Sequence, residues 1–365
     1  MLALFNLLPC PETRWDVPDK LPRSMPQRVE RLPKLISCPD GLDEARQEQW
    51  MSKNADTIIS ELNEFGALHF RGFTLASTKA GFRQWASALP FHPCEDPLTS
   101  VGVRKLLSKG DGIYEAVNSE ELSKTFIGLH NDATYKLTAP FAAFVCFQPA
   151  TQGGEFLLCD GRAVLAELSP DVLKLLSERK VSVRVAALDL SALLSSVSSG
   201  LQPICRRLIQ AMVSCVLSLA VPLGLELAWG RDGVDDGVGA NTLQILERPK
   251  APINRHPTTG QPTFFSSLHS QARYLQQRRA GGKTFSDTAR SSVAATDVFL
   301  GGDLAPIPQS HLEHIDEVIT RLTVPVKMEA GDIVLLDSYQ VLHGRDTFDG
   351  AREHGVLWLA SPPGT

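Results

Sequence analysis

The chain has 365 residues, a formal net charge of −5, 43% apolar and 21% charged residues. That balance excludes a nucleic-acid binder working through a basic face, and it excludes disorder, collagen or coiled coil as a description of the whole chain. The length suffices for a full core without staples, and seven cysteines without a CxxC pair fit the reduced thiols of a cytoplasmic protein.

Residues 1–40 read as an N-terminal arm, rich in Pro and charge beyond position 8. The apolar start lacks a basic region and a small-residue cleavage site, so it does not read as a signal peptide. Residues 41–64 carry Ala45, Trp50, Ile58, Ile59 and Leu62 among polar positions and predict a helix; 66–73 predict a strand ending in a turn, and 78–89 a second helix. Residues 140–148 and 155–159 predict strands around a Gly153-Gly154 turn, and 161–180 predict helix, with Ser169-Pro170 starting a new one. The Ser-rich 190–200 reads as a loop, 201–223 as a helix and 231–241 as a polar, Gly-rich loop.

The uncharged run between Arg207 and Glu226 holds Gln210, Ser214, Ser218, Pro222 and Gly224, too polar for a membrane span, and is read as a buried helix. Residues 324–328, 333–336 and 355–359 predict late strands. Strands toward both ends with helices between give a mainly β fold with α elements. This is one domain over 41–365 with a variable helical insertion at about 186–240, not two separate units.

The chemistry starts at His130-Asn131-Asp132. On a strand, positions i and i+2 face the same side, so one strand offers an imidazole and a carboxylate to one metal ion. His343, after the apolar 331–337 and before Gly344-Arg345, is the best third ligand, although more than half the chain separates it from Asp132. Two His and one carboxylate on one face of an octahedron leave open positions, the arrangement of non-heme Fe(II) oxygenases. A 2-oxo acid filling two of those positions needs a cation for its far carboxylate, and Arg352 is the candidate.

The order HxD, distant strand His, then Arg resembles the TauD/TfdA family of Fe(II)- and 2-oxoglutarate-dependent dioxygenases, in particular its clavaminate-synthase-like and syringomycin-biosynthesis-like members. The matching pieces run through most of the chain: Phe65-Gly66-Ala67 to Arg71-Gly72-Phe73, Leu129-His130-Asn131-Asp132, Gly153-Gly154-Glu155 with Asp160, His256-Pro257 to Gly260 with Phe264-Phe265, Gly331-Asp332 to Asp337, and His343-Gly344-Arg345 with Arg352. The resemblance implies a double-stranded β-helix (jelly-roll) core with flanking helices. It implies iron on His130, Asp132 and His343, 2-oxoglutarate on Arg352, and use of O2 with release of succinate and CO2. A carboxylate at Asp132 implies hydroxylation, desaturation or ring closure of an unactivated C–H bond, not halogenation. A small amino-acid-like or specialised-metabolite substrate follows from the same resemblance.

Some positions depart from the family. Phe156 stands where many relatives have a Thr that assists 2-oxoglutarate, and Val356 where several carry a second Arg. Ser266 and Asp337-Ser338 replace the usual Asn and Asp-Asn, and 186–230 match poorly. Phe126, Leu129, Tyr135, Phe156 and Val356 are candidates for the substrate pocket. Arg345 and Arg71 read as structural, His69 as an interior histidine and His256 as a loop residue near the pocket.

Two other readings share these residues. A catalytically silent binding protein is suggested by Phe156 and Val356; a zinc hydrolase using the same triad would have no use for Arg352. The expected partner is a small molecule, with no nucleic acid and no membrane. The apolar 190–240 with Cys205 and Cys215 leaves room for a homo-oligomer interface.

Overall fold

Twelve strands form two sheets: β1 (Lys34–Ser37), β2 (Ala67–Arg71), β3 (His92–Cys94), β4 (Leu106–Ser108), β5 (Ile113–Glu115), β6 (Ile127–His130), β7 (Phe141–Gln148), β8 (Phe156–Asp160), β9 (Val324–Val326), β10 (Ile333–Asp337), β11 (Val341–Arg345) and β12 (Glu353–Ala360). The computed structural model describes residues 7–21, 32–97, 104–220, 224–231, 238–280 and 296–361. The larger sheet has the order β1-β2-β10-β7-β12-β5-β4, with β3 added to β12; the smaller has the order β9-β8-β11-β6.

Side-chain alternation splits the strands between three apolar layers. Phe144 and Cys146 of β7, Val334 and Leu336 of β10 and Val356 and Trp358 of β12 meet Phe156 and Leu158 of β8 and Val341 of β11 between the sheets. The odd partners Val145, Ile333, Leu335, Leu357 and Leu359 pack outward with residues of α1 (Glu44–Lys53), α2 (Ala55–Phe65) and α3 (Lys79–Ser87). Leu157, Cys159 and Leu342 pack outward on the other side with residues of α4 (Gly161–Glu167) and α5 (Pro170–Glu178) and of helices nearer the end of the chain. Burial on both faces is why 333–336 and 355–359 read as nearly unbroken apolar runs. Each fully buried large side chain in these layers contributes about 1.5–3 kcal/mol. This is the sheet core with flanking helices that the sequence predicts.

Several boundaries differ from the sequence expectation. The 41–64 helix is two helices broken at Asn54, whose Nδ2 donates to Trp50 O and whose N–H closes α1. The N-terminal arm contributes β1, which pairs in parallel with β2. Its earlier part is tied down by Thr13 N–H to Lys136 O and by Arg14 N–H to the Tyr339 hydroxyl. The Ser-rich 190–200 contains a short helix, α6 (Ser191–Ser195). A separate five-stranded sheet joins strands Val181–Asp189, Leu225–Trp229, Thr242–Glu247, Asp297–Leu300 and Ala305–Pro306.

α7 (Gln202–Ala220) covers the predicted helix, and positions 221–223 lie outside the described residues, as does most of the 231–241 loop. It is not buried as expected. Ile204, Leu208, Met212 and Val216, spaced at four residues, are 54–65% exposed. The helix instead turns Arg206 and Gln210 inward, where Gln210 accepts from Trp229 Nε1 and Arg206 lies over the Trp229 ring. No helix among the described residues is long and apolar enough to cross a membrane. The remaining helices, α8 (Leu268–Gln271), α9 (Arg273–Arg279) and α10 (Gln309–Leu322), back the smaller sheet.

Candidate metal centre

β6 carries His130 as its last residue, and β11 carries His343. The two residues are directly paired across the antiparallel strands, with ring centroids 4.6 Å apart. Two glycines permit this. A Cβ at Gly344 would lie 2.4 Å from Ile127 O, and one at Gly128 would lie 2.8 Å from Ser270 Cα on α8. α8 also fixes the strand through His269, whose Nδ1 accepts the Leu129 N–H at 2.9 Å. His343, which follows the 331–337 strand, sits on a strand of its own because the chain turns at Ser338–Gln340.

Asp132 does not continue β6. The strand ends at His130, and the carboxylate is returned to the same side by the following turn instead of by strand alternation. Asn131 is directed away, donating to Ser338 O and Val341 O and accepting from Ser266 N–H.

One ligand atom from each of His130, Asp132 and His343 lies within 4.8 Å of the others. His130 Nδ1 faces Gly128 O at 2.8 Å. A carbonyl only accepts, so Nδ1 bears the proton and Nε2 presents a lone pair. Burial, then the neighbouring His343, pushes His130 down to about 4, so its ring is neutral at neutral pH. Burial resists the charge on Asp132, but Arg104, His343 and His130 outweigh it and hold the carboxyl well below the usual carboxylate range. Asp132 Oδ2 is 2.9 Å from His343 Nε2, yet it is buried with no aligned hydrogen bond. A neutral imidazole lone pair and a buried carboxylate oxygen turned toward both imidazoles fit a divalent cation.

A hydrogen bond to the remaining ring nitrogen commonly orients a ligand imidazole, and of the two only His130 has one among the described residues. His343 Nδ1 is buried without a partner, and the ring is held by Phe156, stacked at 5.8 Å and 20°, and by Phe144 at 5.0 Å. Phe156, at the family's Thr position, is thus a wall of the site.

A second buried group lies around Phe348. Arg345 Cζ is 4.8 Å and Arg352 Cζ 5.6 Å from its ring centroid. Arg352 donates to Ala116 O, Val117 O and Asn118 Oδ1, and Arg345 to Asp346 O, Leu122 O and Thr125 O. Both keep a buried Nε without a partner, and neither is ion-paired to a carboxylate among the described residues. Burial, then Arg345, pushes Arg352 down to about 9; burial, then Arg352 and Arg345, holds His354 well below its usual range. Such buried, uncompensated positive charge suits an anionic ligand.

The other pocket candidates divide. Phe156 and Val356 belong to the layer between the sheets. Leu129 alternates to the outer layer and Phe126 packs against that layer beneath Arg279, so neither shares the triad's side. Tyr135 stacks on Trp15 at 6.3 Å. His256 is tied into its own loop and to β10: Nδ1 accepts from Thr258 and Thr259 N–H, and Nε2 reaches Asp337 at 2.8 Å. His69 and Arg71 both bind Asp332. Arg104, which donates to Asp132 Oδ1 at 3.0 Å, escaped the sequence reading because its partner is 28 positions away and no periodicity marks its segment.

Residues 20–358 match the sequence profile of the Taurine catabolism dioxygenase TauD, TfdA family. No curated protein matches the chain. Three solved structures to which it is similar are asparagine oxygenase in complex with Fe(II), 2S,3S-3-hydroxyasparagine and succinate (12% identity, TM-score 0.49, 89% of this chain and 92% of that one), AAD-2 in complex with Mn(II) and N-oxalylglycine (12%, 0.47, 94% and 100%), and PvcB from Pseudomonas aeruginosa (13%, 0.47, 89% and 84%).

Proposed function

The chain belongs to the TauD/TfdA dioxygenase family, and from that membership we propose that it oxidises an unactivated C–H bond of a small amino-acid-like or specialised-metabolite substrate, using Fe(II), 2-oxoglutarate and O2 and releasing succinate and CO2. The observation that carries this reading is the convergence of His130, Asp132 and His343 from distant parts of the chain. Bound iron with its co-substrate supplies the oxidising power. The protein supplies the rest. His130 Nε2, Asp132 Oδ2 and His343 hold the cation, and the Gly128 carbonyl fixes the His130 tautomer. Arg352 receives the far carboxylate of 2-oxoglutarate. Phe144, Phe156 and Val356, all buried between the sheets, exclude water from the site.

A zinc hydrolase on the same triad leaves the buried Arg352 charge without a purpose, and a silent binding protein leaves the triad without one. A single domain over 41–365, a cytoplasmic setting and a homo-oligomer complete the proposal.

The test is anaerobic titration of apoprotein with Fe(II) and 2-oxoglutarate, followed by visible absorption. A weak charge-transfer band requiring both components is expected, and His130→Ala or Asp132→Ala should abolish the band and succinate formation. Fe(II) binding without a band at any 2-oxoglutarate concentration would refute the oxygenase reading.

A further inference from the structure

Arg104 is the cation that touches the triad. Its Nη2 donates to Asp132 Oδ1 at 3.0 Å, its Nε lies 3.9 Å from Asp96 Oδ2, and its Cζ sits 4.7 Å above the Trp358 ring. Trp358 belongs to the layer between the sheets, two residues along β12 from Val356. The guanidinium therefore lies over an inner-face indole, beside the carboxylate proposed to bind iron.

Its hydrogen bonding differs from that of the other two arginines of the site. Arg345 and Arg352 each spend their Nη groups on three acceptors. Arg104 makes one hydrogen bond among the described residues, and its side chain stays 14% exposed where theirs are sealed. A guanidinium has five donors in a planar fork, and a carboxylate takes two of them in parallel. The Trp358 ring, 4.7 Å from Cζ, backs that fork on one side. Asp132 Oδ1 takes Nη2 and Asp96 Oδ2 faces Nε at 3.9 Å, so the two carboxylates lie along the Nε and Nη2 side and neither meets Nη1, while Asp132 Oδ2 stays turned toward the imidazoles.

Resting on the oxygenase reading above, we propose that Arg104 binds the carboxylate of the substrate with the edge that Asp132 leaves open, so that the substrate is a free carboxylic acid whose reacting carbon lies near that group. Sharing the Asp132 charge with a dication weakens the claim of Asp132 on the guanidinium, which favours a second anion there. Arg104 thereby has two partners: it positions Asp132 and it selects the substrate.

The experiment uses the protein loaded with Fe(II) and 2-oxoglutarate without oxygen. The common L-amino acids and their α-carboxamides are added one at a time, reading the shift of the charge-transfer band and binding by calorimetry. At least one acid is expected to bind, with its carboxamide about 30-fold weaker or more. Arg104→Gln should keep the band, weaken that acid about 100-fold and leave the carboxamide within about threefold. Arg104→Lys, which keeps the charge but loses the fork, should fall between; it carries the test if Arg104→Gln loses iron. Acid and amide binding alike, no amino acid binding, or an unchanged acid preference in both variants would overturn the assignment. A wild-type band that never forms would instead remove the oxygenase reading beneath it.

Discussion

His343 stands opposite His130 in the β11–β6 pairing, and Gly344 makes that approach possible, since a Cβ there would lie 2.4 Å from Ile127 O. Gly344→Ala must push β11 away from β6. It is expected to cost about 1–3 kcal/mol of stability and to weaken Fe(II) binding about tenfold or more, read by anaerobic calorimetry. Unchanged affinity would show that strand spacing does not set the ligand geometry.

Phe156 replaces a missing hydrogen bond with a stacked ring. Phe156→Ala should cost about 3–5 kcal/mol, as for other large buried side chains. Because the His343 ring then loses its wall, the loss of metal affinity should exceed that of an equally destabilising Leu357→Ala, which packs in the outer layer. Equal losses in the two variants would assign Phe156 to packing alone.

Arg352 is a buried cation with neutral partners. Arg352→Gln is expected to weaken 2-oxoglutarate about 100-fold, while the apoprotein keeps a similar melting temperature, because an uncompensated buried charge has been removed along with its hydrogen bonds. In wild type, 2-oxoglutarate with Fe(II) should raise the melting temperature. A rise of the same size in the variant would place the anchor elsewhere.

Acid should loosen the ligand strand through His269. Burial, ahead of the opposing pull of Asp316, pushes this ring down to about 4. The folded state holds it neutral while the unfolded chain takes a proton near 6.5, so its contribution is whole above about pH 6.5 and declines as pH falls toward about 4. His269→Gln can still accept from Leu129 N–H but cannot charge. Its melting temperature should fall less steeply across that window, measured by circular dichroism; parallel slopes would discount His269.

Much of this was legible in the residues. The HxD motif, His343 and Arg352 stood out because their chemistry has few alternative uses, and β7, β10 and β12 because burial on both faces leaves long apolar runs. The break at Asn54 was hidden by apolar positions that continue through it, and is made by a cap bond to Trp50 O. The α7 stripe was misjudged because periodicity gives a face, not its direction; here the polar Arg206 and Gln210 point inward. Arg104 left no local mark, since its meaning depends on Asp132 and Trp358.

The interleaving of β10 and β12 has a consequence for biosynthesis. β10 lies between β2 and β7, and β12 between β7 and β5, so the early pairs β1–β2 and β4–β5 are joined to β7 only by strands made late. While the ribosome is still short of residue 360, the larger sheet cannot close, and before residue 343 emerges the nascent chain has only His130 and Asp132 to offer. Such pairings between remote segments also form slowly. A site made of all three side chains therefore exists only once this last stretch has been made and paired.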